Sequence, residues 1–113
     1  MQKLTKLKKK ADKLWTQKLL KDYCEVCGGF AVEVHHFFPK GGYDILRHNL
    51  DNGVSICRSC HFKHHTKGDP KIHATIMEQR GEEWYRKLLE LTRCKKKRGI
   101  KDIRKVIEDL TIN

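Results

Sequence analysis

The sequence lacks any apolar run that approaches the roughly 18–20 residues of a membrane-spanning helix. Its lysine-rich N-terminus also lacks the apolar stretch of a secretory signal, so we expect a cytoplasmic protein with no membrane partner. Acidic residues are scarce, since 14 Asp and Glu stand against 25 Lys and Arg and leave a net charge of +11. This excess predicts a polyanionic partner, most simply nucleic acid, with an anionic membrane surface as the less favoured alternative.

Hydrophobic residues are also few, at 38% of 113 residues, which predicts one domain over 1–113 with a modest core. A structural metal is a plausible staple for such a core. Four of the five cysteines form two Cys-x-x-Cys pairs, Cys24 with Cys27 and Cys57 with Cys60. Without a secretory signal, this pairing favours a closed four-thiolate Zn²⁺ site over disulfides or buried free thiols. Cys94 is left over and is interpreted as a bystander.

Periodicity predicts an α+β chain with short strands between helices. We divide it into a basic helix (1–21), a core (22–68) and a helical C-terminal extension (69–113). Gly68 and Gly81 are interpreted as helix ends. The predicted strands are 30–38 and 54–56, and the predicted helices after residue 57 are 60–66, 70–80, 82–93 and 102–110.

The histidines form a second pattern. His35 and His36 are adjacent on the first predicted strand, so their side chains should point to opposite faces and cannot share a role without a local bend. His61 and His65 are spaced i, i+4 and should lie on one face of the following helix. The sequence therefore predicts a histidine centre beside the cysteine centre.

The order His-His, Asn, His-x-x-x-His, threaded through two Cys-x-x-Cys pairs, resembles the HNH endonucleases of the ββα-metal type. In that family a strand carries the paired residues, a loop carries the Asn, and a helix carries the last histidines. Asn52 precedes His61 by nine residues, as in the nuclease colicins that share the motif, and Gly41-Gly42-Tyr43-Asp44 lies in the connecting loop. The resemblance covers roughly residues 22–66 and implies a small ββα-metal core with a four-cysteine zinc site.

The resemblance also implies roles. His36 would be the general base, and His35, in place of the usual Asp, would bind one catalytic divalent cation together with His61 and His65. Asn52 would hold the loop so that His36 is oriented, and Asn49 is the alternative for that role. Three imidazoles suit Zn²⁺, Ni²⁺ or Co²⁺, whereas Mg²⁺ and Mn²⁺ favour carboxylates, so the catalytic ion stays open.

Smaller features complete the prediction. His48 and His73 are interpreted as surface residues, and His64 is expected to point away from the metal face. Arg58 is expected in solvent, with phosphate contact as the alternative. Six lysines of the first helix are either a solvated face or a phosphate-binding face: Lys3, Lys6, Lys8, Lys9, Lys10 and Lys13. The opening helix and the basic C-terminal helix resemble the phage NinG (Rap) recombination nucleases.

The resemblance implies a metal-dependent DNA endonuclease that nicks or cleaves duplex or branched DNA in phage recombination and leaves 5′-phosphate and 3′-hydroxyl ends. Two other classes compete with it. A non-catalytic zinc-ribbon DNA-binding module explains the charge and the cysteines, and a zinc-stabilised protein-interaction domain explains less. One centre per chain cuts one strand, so a double-strand break needs a homodimer or two encounters.

Overall fold

The order of secondary-structure elements confirms the predicted α+β class. The structure is a computed structural model that describes residues 2–112, so the predicted domain 1–113 includes Met1 and Asn113, which lie outside the described residues. No helix within that range is long and apolar enough to cross a membrane. The elements are α1 (Gln2–Leu19), β1 (Glu33–His36), two 3₁₀ turns (Asp44–Leu46 and Leu50–Asn52), β2 (Gly53–Ile56), α2 (Arg58–Lys67), α3 (Pro70–Arg80), α4 (Glu82–Leu91) and α5 (Ile100–Thr111).

Strands β1 and β2 form an antiparallel hairpin that leads directly into α2, which gives the expected ββα order. In the register, His35 lies opposite Val54 and His36 lies opposite Gly53. The prediction of a strand over 30–38 was wrong in length, because β2 has only four residues to pair with. Beyond His36 the Phe37 N–H donates to the Asn52 carbonyl, and the Phe38 N–H donates to the Asn52 side chain rather than to a strand.

The helix boundaries follow from their caps. The Cys57 sulfur accepts from the Cys60 N–H, so α2 begins at Arg58 rather than at residue 60. Asp69 accepts from the Lys71 N–H and Pro70 takes the first helical position, so α3 spans 70–80 as predicted. The Asp102 carboxylate accepts from the Gly99 N–H, which starts α5 at residue 100, earlier than predicted. Helices α1 and α4 end two residues before their predicted ends.

The hairpin is covered on both sides. Ala11 and Trp15 of α1 are buried, and α1 packs against α5 as well as against both strands. On the other side the core contains Phe37, Val54, Ile56, Ile72 and Ile76, together with Cys24, Cys57 and Cys60. The cysteine cluster is therefore continuous with the hydrophobic core.

Gly53 allows α1 to approach the hairpin closely. A Cβ atom at this position would lie 2.7 Å from Trp15 Cζ2 and 3.0 Å from Val34 Cγ1, and it would also clash with Leu19 Cδ1. Real Cβ contacts are longer than this, so the backbone at Gly53 can approach α1 only without a side chain.

We expect Gly53→Ala to destabilise the protein by about 1–3 kcal/mol, because the added methyl group must push α1 away from β2. Gly41→Ala is the matched control, since a Cβ at Gly41 meets no atom within 4 Å. Urea titrations of both variants measure the difference. Equal stability of the two variants would contradict the close approach described here.

Candidate metal centres and active site

The four paired cysteines come together at the junction of the first loop and α2. Their Sγ atoms all lie within 4.8 Å of one another, and Cys27 Sγ is 3.6 Å from Cys57 Sγ. Backbone N–H groups of Val26 and Cys27 point at Cys24 Sγ, at 3.4 and 3.5 Å, and the Cys60 N–H lies 3.3 Å from Cys57 Sγ. These N–H groups stabilise thiolates, so the cluster could hold a zinc ion as predicted.

The thiol pKa values differ in a way that fits a cation site. Burial raises the pKa of Cys24, but hydrogen bonds from backbone N–H groups outweigh it and lower that pKa to about 7. For Cys60, burial and hydrogen bonding to the neighbouring sulfurs raise the pKa above its ordinary value. Four sulfurs this close cannot all ionise unless a cation balances their charge, and zinc binds the thiolate form.

The three predicted histidine ligands also come together. His35 on β1 is 2% exposed, and one ligand nitrogen from each of His35, His61 and His65 lies within 4.8 Å of the others. His61 Nε2 and His65 Nε2 are 2.8 Å apart, as their i, i+4 spacing predicted. This set of three imidazoles is called the first triad below.

Glu33 orients His61 of the first triad, and it was not among the residues predicted from the sequence. The Nδ1–H of His61 donates to Glu33 Oε1 over 2.6 Å, which leaves the Nε2 lone pair of His61 for an ion. The available signal was the period of a strand. Glu33 stands two residues before His35 on β1 and therefore lies on the same face.

The interpretation of His73 as a surface residue was wrong, and so was the expectation that His64 points away from the metal face. His73 on α3 is half-buried, and its Nε2 lies 3.2 Å from His35 Nε2. His64 is also half-buried, with its ring centre 4.7 Å from that of His35. His35, His64 and His73 form a second triad whose ligand nitrogens lie within 4.8 Å of one another.

The surroundings of the second triad lower the pKa of each of its three imidazoles. Burial, followed by the charge of the surrounding histidines, lowers the pKa of His35 to about 2. Burial and then the charges of His64 and His65 lower the pKa of His73 to about 4. Neutral imidazoles have a free lone pair, so this environment favours ligands over cations.

His36 points to the other face of β1, as the strand alternation predicted. Its ring stacks on Trp15 with the ring centres 4.1 Å apart, and its Nε2 lies 2.9 Å from the Arg47 carbonyl oxygen. A carbonyl can only accept, so Nε2 carries the proton and Nδ1 holds the lone pair. Burial lowers the pKa of His36, and the bond to Arg47 opposes this only in part. A cleft of about 470 Å³ is lined by His36 and by both triads.

Asp12 on α1 binds the side chain of Arg47, whose carbonyl oxygen accepts from His36. Both carboxylate oxygens of Asp12 accept from the Arg47 guanidinium, at 2.8 and 2.6 Å, and His48 Nε2 lies 2.8 Å from the same carboxylate. Burial would raise the pKa of Asp12, but these hydrogen bonds hold it well below its ordinary value. The interpretation of His48 as a surface residue was wrong, because Asp12 and Arg98 pair with it in the interior.

Asn52 is fully buried at the end of the loop between the strands. Its Oδ1 accepts from the Phe38 N–H at 2.8 Å, and its Nδ2 donates to the carbonyls of Phe38 and Leu46 at 2.9 and 3.0 Å. Asn49, the alternative, accepts from the Asp51 N–H and caps a 3₁₀ turn. Of the two asparagines, Asn52 is the one whose side chain bonds to the backbone that follows His36.

The predicted basic face of α1 is present except at one position. Lys3, Lys6, Lys9, Lys10 and Lys13 are exposed, whereas Lys8 is half-buried and forms an ion pair with Asp44. Asp44 also accepts from Arg98 of the basic C-terminal segment, which joins the two basic regions. Arg58 is exposed to solvent.

One family of known proteins matches part of the chain. The family model of the HNH endonucleases matches residues 24–67. The matched HNH segment contains both cysteine pairs, the hairpin and α2, and it suggests a nuclease or DNA-binding function. It leaves out α1, α3 with His73, α4 and α5, so the resemblance to the NinG nucleases expected for the flanks is not shown by this match. No curated protein and no solved structure matches the chain.

We expect Cys57→Ser to release about one zinc ion and to lower the melting temperature. The serine hydroxyl keeps an acceptor for the Cys60 N–H, so the change tests ligation rather than helix capping. A loss of about 3 kcal/mol would lower the melting temperature by roughly 10–20 °C in a domain of this size. Cys94→Ser, at the half-buried cysteine outside the cluster, is the matched control and should keep the zinc and the stability. An unchanged zinc content in Cys57→Ser would contradict the four-thiolate site.

Proposed function

We propose that the chain is a metal-dependent DNA endonuclease that hydrolyses phosphodiester bonds. One observation carries this proposal: a single cleft joins the first triad, which can hold a cation, to His36, whose Nδ1 lone pair is free. The match of the HNH family to residues 24–67 supports the same reaction class. A zinc-ribbon DNA-binding module has no use for the free Nδ1 of His36.

His36 would act as the general base. Its Nδ1 accepts a proton from a water molecule, the water oxygen attacks the phosphorus atom, and the bond from phosphorus to the 3′ oxygen breaks. The leaving oxygen takes up a proton, so the products are a 5′-phosphate and a 3′-hydroxyl end. The lowered pKa of His36 keeps the imidazole unprotonated at neutral pH, which a base requires.

His35, His61 and His65 would hold the catalytic divalent cation. When bound, such a cation stabilises the negative charge that develops on the phosphate and on the leaving oxygen. Glu33 keeps the Nε2 of His61 available and fixes the plane of its ring. Three neutral nitrogen donors favour Zn²⁺, Ni²⁺ or Co²⁺ over Mg²⁺ or Mn²⁺.

Three further residues would position His36 without touching the substrate. The Arg47 carbonyl fixes the direction of the imidazole ring, and Asp12 fixes Arg47. Asn52 bonds to the backbone of Phe38, two residues after His36, and so holds together the two ends of the loop between β1 and β2. The reaction would slow if the base were misplaced, because proton transfer requires the base to lie within hydrogen-bond distance of the attacking water.

The DNA would lie along the basic flanks. Five exposed lysines of α1 and the segment 93–105, with eight basic residues and one acidic residue, supply the charge. Because α1 packs against α5, the two regions belong to one surface. These packing contacts also support our proposal that 1–113 acts as one domain.

The kind of DNA substrate and the role in phage recombination are proposed from the expected resemblance of α1 and α5 to the NinG nucleases. We propose a nicking activity on duplex or branched DNA of the kind that phage recombination requires, with a homodimer needed for a double-strand break. Cleavage of a four-way junction compared with a linear duplex of the same sequence distinguishes these substrates.

We expect His36→Gln to lower plasmid nicking by roughly 10²–10⁴-fold, because glutamine can still donate to the Arg47 carbonyl but has no basic nitrogen. Supercoiled plasmid is incubated with Mg²⁺, Mn²⁺, Ni²⁺, Co²⁺ or Zn²⁺, and DNA binding is measured in parallel. Gln79→Ala, at an exposed position of α3, is the control and should nick like the wild type. If His36→Gln nicks normally, His36 is not the base. A wild-type protein that binds DNA and never nicks it would favour the zinc-ribbon module.

We expect DNA affinity to fall steeply with salt, with a slope of log K against log salt steeper than about −4, since each phosphate contact contributes about −0.9. A variant with glutamine at Lys3, Lys6, Lys9, Lys10 and Lys13 should lose at least half of that slope. Lys87→Gln, an exposed lysine of α4, is the control. Anisotropy titrations with a labelled duplex measure both. A slope unaffected by the five substitutions would place the DNA elsewhere on the protein.

A further inference from the structure

Four histidines surround the buried ring of His35. The ring centres of His61, His64, His65 and His73 lie between 4.7 and 5.5 Å from the ring centre of His35. Their ligand nitrogens divide into the first triad, which the proposed reaction uses, and the second triad, which it does not use. These five imidazoles offer more nitrogen donors than one metal ion with three protein ligands needs.

His73 stacks on two neighbouring rings. Its ring centre lies 4.2 Å from that of Phe37 and 4.3 Å from that of His64, with interplanar angles of 25° in each case. Its Nε2 faces His35 Nε2 at 3.2 Å. Asp69 and Pro70 start α3 just before His73 and so set where this residue enters the cluster. The ring is therefore held toward His35 rather than free in solvent.

The second triad is a feature of this chain rather than of the HNH segment. His73 lies on α3, outside the matched residues 24–67. His64 lies within them but next to the ligand His65, on the part of α2 that faces α3. The packing of α3 on α2 thus brings to His35 two donors, His64 and His73, that the first triad does not contain.

The chemistry of the second triad selects a transition metal. All three donors are imidazoles, which suit Zn²⁺, Ni²⁺, Co²⁺ and Cu²⁺ and bind Mg²⁺ poorly. A neutral imidazole has one lone pair, because its other ring nitrogen carries the proton. His35 can therefore serve only one ion at a time, unless the ring loses its second proton.

We propose that His35, His64 and His73 form a second position for a transition-metal ion, and that one ion occupies either this position or the first triad because both require His35. The inference rests on the proposed role of the first triad as the catalytic position. An ion in the second position takes His35 from the first, so Zn²⁺ or Ni²⁺ held there leaves the nuclease without one of its ligands.

The test is calorimetric titration with Ni²⁺ of the full chain, with zinc loaded in the cysteine site and free zinc removed. Wild-type protein should bind one Ni²⁺. The double variant His61→Ala with His65→Ala should still bind one, with an affinity within about tenfold of wild type, whereas His35→Ala should bind at least about 100-fold more weakly. Adding His73→Phe to the double variant keeps the stack on Phe37 but removes the nitrogen, and it should abolish the remaining binding.

Three outcomes would overturn the proposal. The first is a double variant that binds Ni²⁺ as weakly as His35→Ala, and the second is binding that survives His73→Phe in that background. The third is a wild-type protein that binds two Ni²⁺ ions, since His35 would then not be shared. Thermal melts of each variant test whether it is folded. Nicking is assayed on the same wild-type preparation, and its absence would contradict the proposed nuclease while leaving the Ni²⁺ result to stand separately.

Discussion

The buried side-chain amide of Asn52 closes the loop between the two strands, and the position of His36 depends on this closure. Its oxygen and nitrogen bond to the backbone of Phe38 on one side of the loop and to the Leu46 carbonyl on the other. An unsatisfied buried polar group costs about 1–3 kcal/mol, so the loop cannot leave these bonds without penalty. Leu46 precedes Arg47, whose carbonyl bonds to His36. The position of the proposed base is therefore set by an asparagine that lies sixteen residues further along the chain.

Helix α1 contributes to the site although it lies outside the matched HNH segment. Trp15 supplies the surface on which the His36 ring stacks, and its indole nitrogen donates to the Asn49 carbonyl at 2.9 Å. Asp12 binds the Arg47 side chain from the same helix. A segment of this size buries little apolar surface by itself, so a flanking helix is needed to cover it. Here α1 also limits the movement of the proposed base, His36, through Trp15 and Asp12.

The two candidate metal centres are joined through α2. Cys60 is the one buried residue of this ten-residue helix, so α2 has little hydrophobic packing to hold it. The cysteine cluster at its first turn takes over that role, while His61, His64 and His65 emerge toward the cleft from the next turns. In the proposed nuclease, thiolates would fix the helix through a structural ion, and imidazoles would hold the catalytic ion.

The sequence by itself determined the features that depend on short spacing. The two Cys-x-x-Cys pairs, the i, i+4 spacing of His61 and His65, and the start of α3 at Asp69-Pro70 are all local, and the α+β order follows from local periodicity. Residues 35 and 36 of β1 point to opposite faces because strand side chains alternate. Resemblance to the HNH pattern then grouped His35 with the α2 histidines, and the structure places their nitrogens together.

Only the tertiary structure decided which other polar residues lie inside. His73 meets His35 across 38 residues of chain, Asp12 meets Arg47 across 35, and Arg98 meets Asp44 across 54. A histidine or an aspartate has the same local pattern whether it is solvated or buried. Its burial is decided by the helix that covers it, and here that depends on how α1 and α3 pack onto the hairpin and α2, which no spacing within the sequence encodes.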